Sequence, residues 1–359
     1  MMKSKVKPAA AAIILIIIAV VSTVILRKIQ KNTDMGNIAD KSEKSEDVKY
    51  SLTEEHFGTI LTITLYGSDE EKLKEITEKS FDECERLEGI FSAKLSDSEL
   101  SMLNKNAATE PVKVSDELMY LIKEALSYNK LSEGALDMSI GELINLWGIG
   151  SENQRVPDIE ELKPYISADG CSNIIIDEKN NTVFYNTDLV EIDLGAIAKG
   201  YAADCIKKYI CDNMESPYGI LDFGGNIMTI GQKTDGTSWN IGITNPKNPS
   251  QIYGVVSVKD MCVVTSGNYE RYFIENGVRY HHILNPFTGY PADTGIISST
   301  IIGNNSMECD ALSTACYILG VDKSLKLIDG IEGVEAVFID NDGNAHTSKG
   351  MSKYNFVVR

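Results

Sequence analysis

The residues best suited to chemistry are an aspartate and a threonine, Asp310 and Thr314, in MECDALSTACYILG at residues 307–320. The segment has helical spacing, with Ala311, Leu312, Ala315, Cys316, Ile318 and Leu319 on an apolar face. Asp310 and Thr314 stand one turn apart, so their oxygens point the same way. Two readings are open. In one, Asp310 is the helix N-cap, accepting from the Ser313 amide, and Thr314 bonds back to its own helix. In the other, carboxylate and hydroxyl form a hard-oxygen pair of the kind magnesium prefers.

Four further segments set polar residues where glycines let the chain turn. GALDMSIGELINLWGIG (134–150) places Asp137 between a glycine and an apolar helix closed by Trp147. Asp137 then caps and Trp147 is core, or the pair offers a carboxylate and an aromatic to a planar heterocycle. EIDLGAIAKGYAADCIKKYI (191–210) reads as a short strand ending at Asp193, a turn at Gly195 and a helix whose first amides suit a phosphate. Lys199 in the first turns opposes the helix dipole, so it is either solvated or held by an anion. The paired glycines of LDFGGNIMTIG (221–231) allow a ligand to approach the backbone, or simply turn the chain. In TSGNYERYFIENGVRYHHILNPFTGYP (265–291), Asn276–Gly277 between alternating runs marks a hairpin. Folding there returns His281 and His282 alongside Ser266–Asn268. Alternation puts the two imidazoles on opposite faces, one for chemistry and one for solvent.

The elements that must position these residues are legible in outline. GTILTITLYG alternates as a first strand. EEKLKEITEKSFDECERLEGIFS is an amphipathic helix burying Leu73, Ile76, Phe81, Leu87 and Ile90. SDSELSMLNKN opens with a capping box from Ser96 to Glu99, and SDELMYLIKEALSYNKLS is a second capped helix. A hairpin turns at Asn180–Asn181, and strands surround residues 255–258 and 336–339. Strands and helices mix without regular βαβ alternation, so the fold class is α+β.

A chain of 359 residues with 43% hydrophobic content can bury a large core. Its net charge of −18 excludes the basic face that a nucleic-acid partner calls for. Seven scattered cysteines give neither a Cys-x-x-Cys pair nor a disulfide framework, and read as buried free thiols. Lys3, Lys5 and Lys7 precede an apolar run at residues 8–26, about long enough to span a bilayer, and Arg27, Lys28 and Lys31 follow it. We read a cytoplasmic tail at 1–7, a transmembrane signal anchor at 8–26, a flexible linker at 27–47 and an exported catalytic domain at 48–359. A cleaved signal peptide is the other reading of the same run, and it exports the domain equally.

In this order, Phe57–Gly58–Thr59, DSELSMLN, GALDMSIGELINLWGIG, IDLGAIAKGYAAD, DFGGNI, TSGNYERYF, HHILNPFTGYP and ECDALSTACYILG resemble the ApbE family of FAD:protein FMN transferases. The resemblance covers nearly all of residues 50–359. It implies a single mixed α/β domain, ApbE-like and T-fold-like, that moves FMN from FAD to a threonine of an acceptor flavoprotein and releases AMP. It implies magnesium held by the Ala196 carbonyl, Asp310 and Thr314, and so favours the metal reading of the opening helix. FAD contacts map to Phe57, Lys94, Ala135, Leu136, Asp137, Asp193, Lys199, Ile283 and Leu284, and His282 matches the catalytic histidine. Two positions depart from the pattern: Lys94 stands where tyrosine is usual and Phe57 where methionine is common. For an exported, anchored enzyme the acceptors are membrane redox subunits or extracellular flavoproteins. Competing readings are a magnesium-dependent FAD pyrophosphatase and a membrane-anchored flavin-binding protein without turnover. No Gly-x-Gly-x-x-Gly dinucleotide fingerprint follows a strand, which disfavours a flavin-dependent oxidoreductase.

Overall fold

Leu61, Ile63 and Leu65 alternate along one strand and are fully buried, while Val263 and Val264, adjacent in another strand, fall in two different apolar clusters. That pattern requires a sheet covered on both faces. A computed structural model of the chain describes residues 47–166 and 170–359. The expected tail, anchor and linker, up to residue 46, lie outside the described residues. Among the described residues no helix is long and apolar enough to cross a membrane.

The chain runs through β1 (Val48–His56), β2 (Thr59–Gly67), α1 (Glu70–Phe91), α2 (Glu99–Asn106), β3 (Val112–Lys113), α3 (Asp116–Leu131), α4 (Gly141–Trp147) and α5 (Ile159–Leu162). It continues with β4 (Ile174–Asp177), β5 (Thr182–Tyr185), α6 (Ala198–Asn213), β6 (Tyr218–Phe223), β7 (Asn226–Ile230), β8 (Trp239–Thr244), β9 (Ile252–Val258) and β10 (Cys262–Gly267). The last elements are β11 (Tyr272–Glu275), β12 (Val278–His281), β13 (Ile296–Gly303), α7 (Ser306–Leu319), α8 (Val321–Ile328), β14 (Glu335–Asp340), β15 (Ala345–Thr347) and β16 (Val357–Val358).

Eight strands form one antiparallel sheet in the order β1-β2-β6-β7-β10-β13-β14-β15. Helices α1, α6 and α7 pack on one face, where Leu61, Val264, Ile301 and Phe338 meet Leu73, Ile206 and Leu312. The other face is covered by the small β16-β9-β8 sheet through Trp239, Ile241, Val256, Val263, Ile302 and Val337. A third apolar cluster joins α4, α5 and the β11–β12 hairpin through Leu143, Trp147, Leu162, Phe273 and Leu284. The α+β expectation holds as a mixed fold around a large antiparallel sheet.

Three local expectations are corrected. GTILTITLYG is the second strand: β1 precedes it, with Tyr50 and Leu52 half-buried against the core. The cap of α2 is Ser98, whose hydroxyl accepts from the Ser101 amide, and Ser96 lies outside the helix. Residues 191–193 form a single bridge, Ile140 to Glu191, in place of a strand.

Candidate active site

A cavity of about 1040 Å³ opens where α6, α7, β10 and the β1–β2 and β6–β7 turns converge. All thirteen residues singled out above line it: Phe57, Lys94, Ala135, Leu136, Asp137, Asp193, Ala196, Lys199, His282, Ile283, Leu284, Asp310 and Thr314.

Each wall is held by a specific local device. At the β1–β2 turn, Phe57 and Gly58 take φ of 52° and 63°, the left-handed pair a two-residue hairpin needs. For phenylalanine this conformation costs on the order of 1–3 kcal/mol. The turn is pinned from both sides, since Phe57 N–H donates to Glu88 Oε1 at 2.8 Å and Gly58 O accepts from Arg271 Nη2 at 3.1 Å. Gly224 presses on the same turn, because a Cβ there would lie 2.5 Å from Thr59 Oγ1. Ser92 Oγ accepts from the Lys94 and Leu95 amides, both at 3.1 Å, and shapes the loop that carries Lys94.

The DSELSMLN segment acts at a distance. Asn104 clamps Ile192 through both backbone groups, with Nδ2 donating to its carbonyl at 2.8 Å and Oδ1 accepting from its amide at 2.9 Å. Asp193 N–H then donates to Met138 O at 2.8 Å, joining the Asp193 and Asp137 segments side by side. Asp137 does not cap α4: its Oδ1 accepts from Ser139 N–H and Oγ–H and from Cys171 Sγ, folding the loop on itself. Trp147 is core, fully buried, with Nε1 donating to Gly289 O at 2.8 Å.

The α6–α7 contact removes the capping reading of the opening helix. The N-cap of α7 is Asn305, which accepts from the Glu308 amide at 2.7 Å, so Asp310 is interior to α7 and does not cap it. Its carboxylate is buried, and Oδ2 accepts from the Gly200 amide at 2.9 Å. Lys199 Nζ lies 3.4 Å from each carboxylate oxygen and 2.8 Å from Gly195 O, so the lysine has the anionic partner its position demands. One amide expected to await a phosphate at the start of α6 is thus taken by Asp310. Thr314 does not bond back to its own helix: its hydroxyl is 3.3 Å from Ser266 Oγ, which is 2.7 Å from Ser313 Oγ.

The hairpin registers Tyr272 against His281, so the histidines return beside Arg271 and Tyr272, farther along than Ser266–Asn268. They do face opposite ways, but neither faces open solvent. His281 is buried edge-on against Tyr317, with Nε2 donating to Ala292 O at 3.1 Å and Nδ1 accepting from Ile283 N–H at 3.3 Å. Burial pushes its pKa down to about 4. His282 lines the cavity, and since a carbonyl can only accept, Nδ1–H donates to Arg271 O at 3.3 Å and Nε2 keeps its lone pair. Desolvation first, then the Arg271 charge, hold its pKa down at about 3, so the ring is neutral.

Sequence reasoning did not single out Asp222, Glu270 or Arg271, which share the cavity. Glu270 lines the cavity and is exposed there. Desolvation pushes its carboxyl up to about 7, against the pull of Lys199 and Arg271. Desolvation also raises Asp222. The signal was the ER pair directly before the hairpin that carries His282 back to the cavity.

The family model described as the ApbE family matches residues 57–338. The chain belongs to the ApbE family. An FAD:protein FMN transferase of Treponema pallidum is 35% identical over 318 residues, covering 84% of this chain and 88% of that protein. One from Klebsiella pneumoniae is 32% identical over 296 residues, covering 82% and 90%. The ApbE protein of Thermotoga maritima superposes with a TM-score of 0.79 at 34% identity, over 86% of this chain and 99% of its own. The flavin transferase ApbE of Vibrio cholerae gives 0.75 at 28% identity, over the same shares. The eight-stranded sheet and its helical layer are therefore the ApbE fold, and the cavity lies within the part of the chain the family model spans.

Proposed function

We propose that this ApbE-family enzyme transfers the FMN moiety of FAD to a threonine hydroxyl of an acceptor flavoprotein, with magnesium, and releases AMP. Flavin transfer is the activity named for its curated relatives. The observation that carries the finer reading is the gathering of the Ala196 segment, Asp310 and Thr314 on one wall of the cavity that His282 also lines.

Carboxylate, hydroxyl and backbone carbonyl are the hard donors magnesium takes, and the Lys199 ammonium, 3.4 Å from both Asp310 oxygens, would give way to the ion. Ala196, Asp310 and Thr314 would hold the ion, which when bound neutralises charge on phosphoryl oxygens. The cavity, about 1040 Å³, is at the upper end of small-molecule sites and has room for a dinucleotide.

The acceptor hydroxyl gives its proton to His282 Nε2 and its oxygen attacks the FMN-side phosphorus. The phosphorus–oxygen bond to the AMP side breaks, and the electron pair leaves with AMP. A free-enzyme imidazole with pKa about 3 is a weak base, but burial and the positive charges of Arg271 and Lys199 are among its causes. A pyrophosphate anion against those charges offsets them and raises the basicity when substrate is bound.

Residues 8–26 as an anchor put the domain on the extracytoplasmic side, where membrane redox subunits or extracellular flavoproteins supply the threonine. Protease protection in intact cells tests that placement: a shielded domain rejects it.

For the reaction, the full-length enzyme is incubated with FAD, with and without magnesium, and with an acceptor protein or its Thr→Ala variant. An FMN mass on the acceptor plus AMP, lost with chelator and in Asp310→Ala, is the expected result. FMN and AMP without adduct would make it the pyrophosphatase, and intact bound FAD would make it a carrier.

A further inference from the structure

Arg271 is tied into the site at both ends. Its carbonyl accepts from His282 N–H at 3.1 Å and from His282 Nδ1–H at 3.3 Å. Its guanidinium donates through Nη2 to Gly58 O at 3.1 Å, tying it to the turn that carries Phe57, and both residues line the cavity. That is one bond for a group with five N–H donors.

Three other arginines of the described residues have partners. Arg86 is paired with Glu83 and Glu117, Arg155 with Glu161, and Arg279 lies 4.2 Å over the Tyr272 ring. Lys199, which also lines the cavity, is committed to Asp310 and Gly195 O. Among the described residues Arg271 forms no ion pair, although the chain carries a net charge of −18. A half-buried, anchored guanidinium with open donors beside a cavity has the geometry of an oxyanion fork.

We propose that Arg271 is a catalytic residue of this site, its guanidinium contacting the pyrophosphate of the dinucleotide and taking up charge that develops as the AMP side leaves. The assignment rests on the flavin-transfer reading. It gives one residue two connections to the reaction, since the segment that aims the imidazole through its carbonyl also presents the fork. No bond beyond those of the transfer itself is made or broken: the guanidinium stays protonated throughout, and the departing phosphate leaves with its electron pair.

The test uses the full-length enzyme with Arg271→Ala and Arg271→Lys. The expected loss in kcat is on the order of 10²–10³-fold for alanine, the range for removing one oxyanion donor, with less than a tenfold change in KM for FAD. Lysine, a point charge without the fork, recovers little. Added guanidinium ion restores part of the alanine variant's rate and leaves His282→Ala unchanged, which a merely structural role for Arg271 would not produce. Near-wild-type turnover in Arg271→Ala, or loss without rescue, overturns the proposal. Should the alanine variant fail to give a cooperative melt, Arg271→Gln, which keeps an N–H for Gly58 O, takes its place with the same expected loss.

Calorimetry with inorganic pyrophosphate and with riboflavin separates this proposal from the reaction itself. Pyrophosphate affinity should fall at least tenfold in the alanine or glutamine variant while riboflavin affinity holds. Equal pyrophosphate affinity overturns the assignment even if the wild-type enzyme turns out to transfer nothing. A wild-type enzyme that loses pyrophosphate affinity on substitution but shows no turnover would overturn the transfer reading and leave the fork standing as an anion site.

Discussion

The Gly200 amide donates to Asp310 Oδ2 at 2.9 Å, so the first turn of α6 directly holds the carboxylate in the middle of α7. The approach is possible only without a side chain. A Cβ at 200 would lie 2.3 Å from Ser306 O and 2.7 Å from Met307 Cα, both backbone atoms that cannot rotate away. Gly200→Ala therefore pushes the two helices apart. We expect a loss of about 1–3 kcal/mol in denaturant melts, the usual scale of overpacking. A larger proportional loss of flavin transfer should accompany it, because Asp310 moves with its helix. Unchanged stability would show that the contact is looser than described.

One turn further along α6 and one turn back along α7, Asp204 makes the matching link. Its carboxylate accepts from the Ser306 and Met307 amides, both at 2.9 Å, capping α7 from a neighbouring helix. Desolvation raises its pKa, and those two amides oppose the rise. Asp204→Ala should cost about 1–2 kcal/mol, as lost caps do, while Asp204→Asn keeps an acceptor and loses less. Thermal melts of the three proteins give the order.

His281 predicts an acid-labile window. Its folded pKa, about 4, lies below the ordinary 6.5, so the folded state binds its proton less readily than the unfolded chain. Its contribution is therefore whole above pH 6.5 and lost as pH falls toward 4. That difference bounds the effect at about 3 kcal/mol. Glu270 runs the other way: raised to about 7, it favours the fold at low pH and loses that contribution as pH rises from 4.5 through 7. Comparing the pH dependence of Tm for wild type and His281→Gln isolates the histidine. A flat difference between pH 4 and 6.5 would refute the assignment.

His282→Ala should lower kcat by roughly 10²–10³-fold, within the range for a general base, and leave FAD binding nearly intact. Because the free-enzyme imidazole is neutral down to about pH 3, the wild-type kcat/KM profile should show no fall near pH 6.5 from this group. A step there that vanishes in the alanine variant would place the pKa where an exposed histidine has it.

What the sequence made legible was the set of wall segments, because each announces itself by a glycine or turn beside a polar residue. What it hid was who holds whom. The Asp310 cap was a misreading of helix phase: Asn305 and Glu308 carry the better start signal three residues apart, and the helix begins there. Ser96 and Ser98 offer the same hydroxyl, and only the bond to the Ser101 amide decides between them. β1 escaped because just three apolar residues, Val48, Tyr50 and Leu52, mark its inner side, and they are only half-buried. Arg271 and Glu270 escaped because their roles depend on the register of a hairpin against loops hundreds of residues away, which local periodicity does not encode. The clamp of Ile192 by Asn104 is of the same kind, a contact 88 residues apart.

The cavity wall draws on Phe57 near the start of the described chain and on Thr314 and Ile318 near its end, with α7 seated on strands β10 and β13. Contacts of such long sequence separation form late in folding. A ribosome must therefore deliver nearly the whole polypeptide before the cavity can close, and a chain arrested before α7 lacks Asp310, Thr314 and the wall they form.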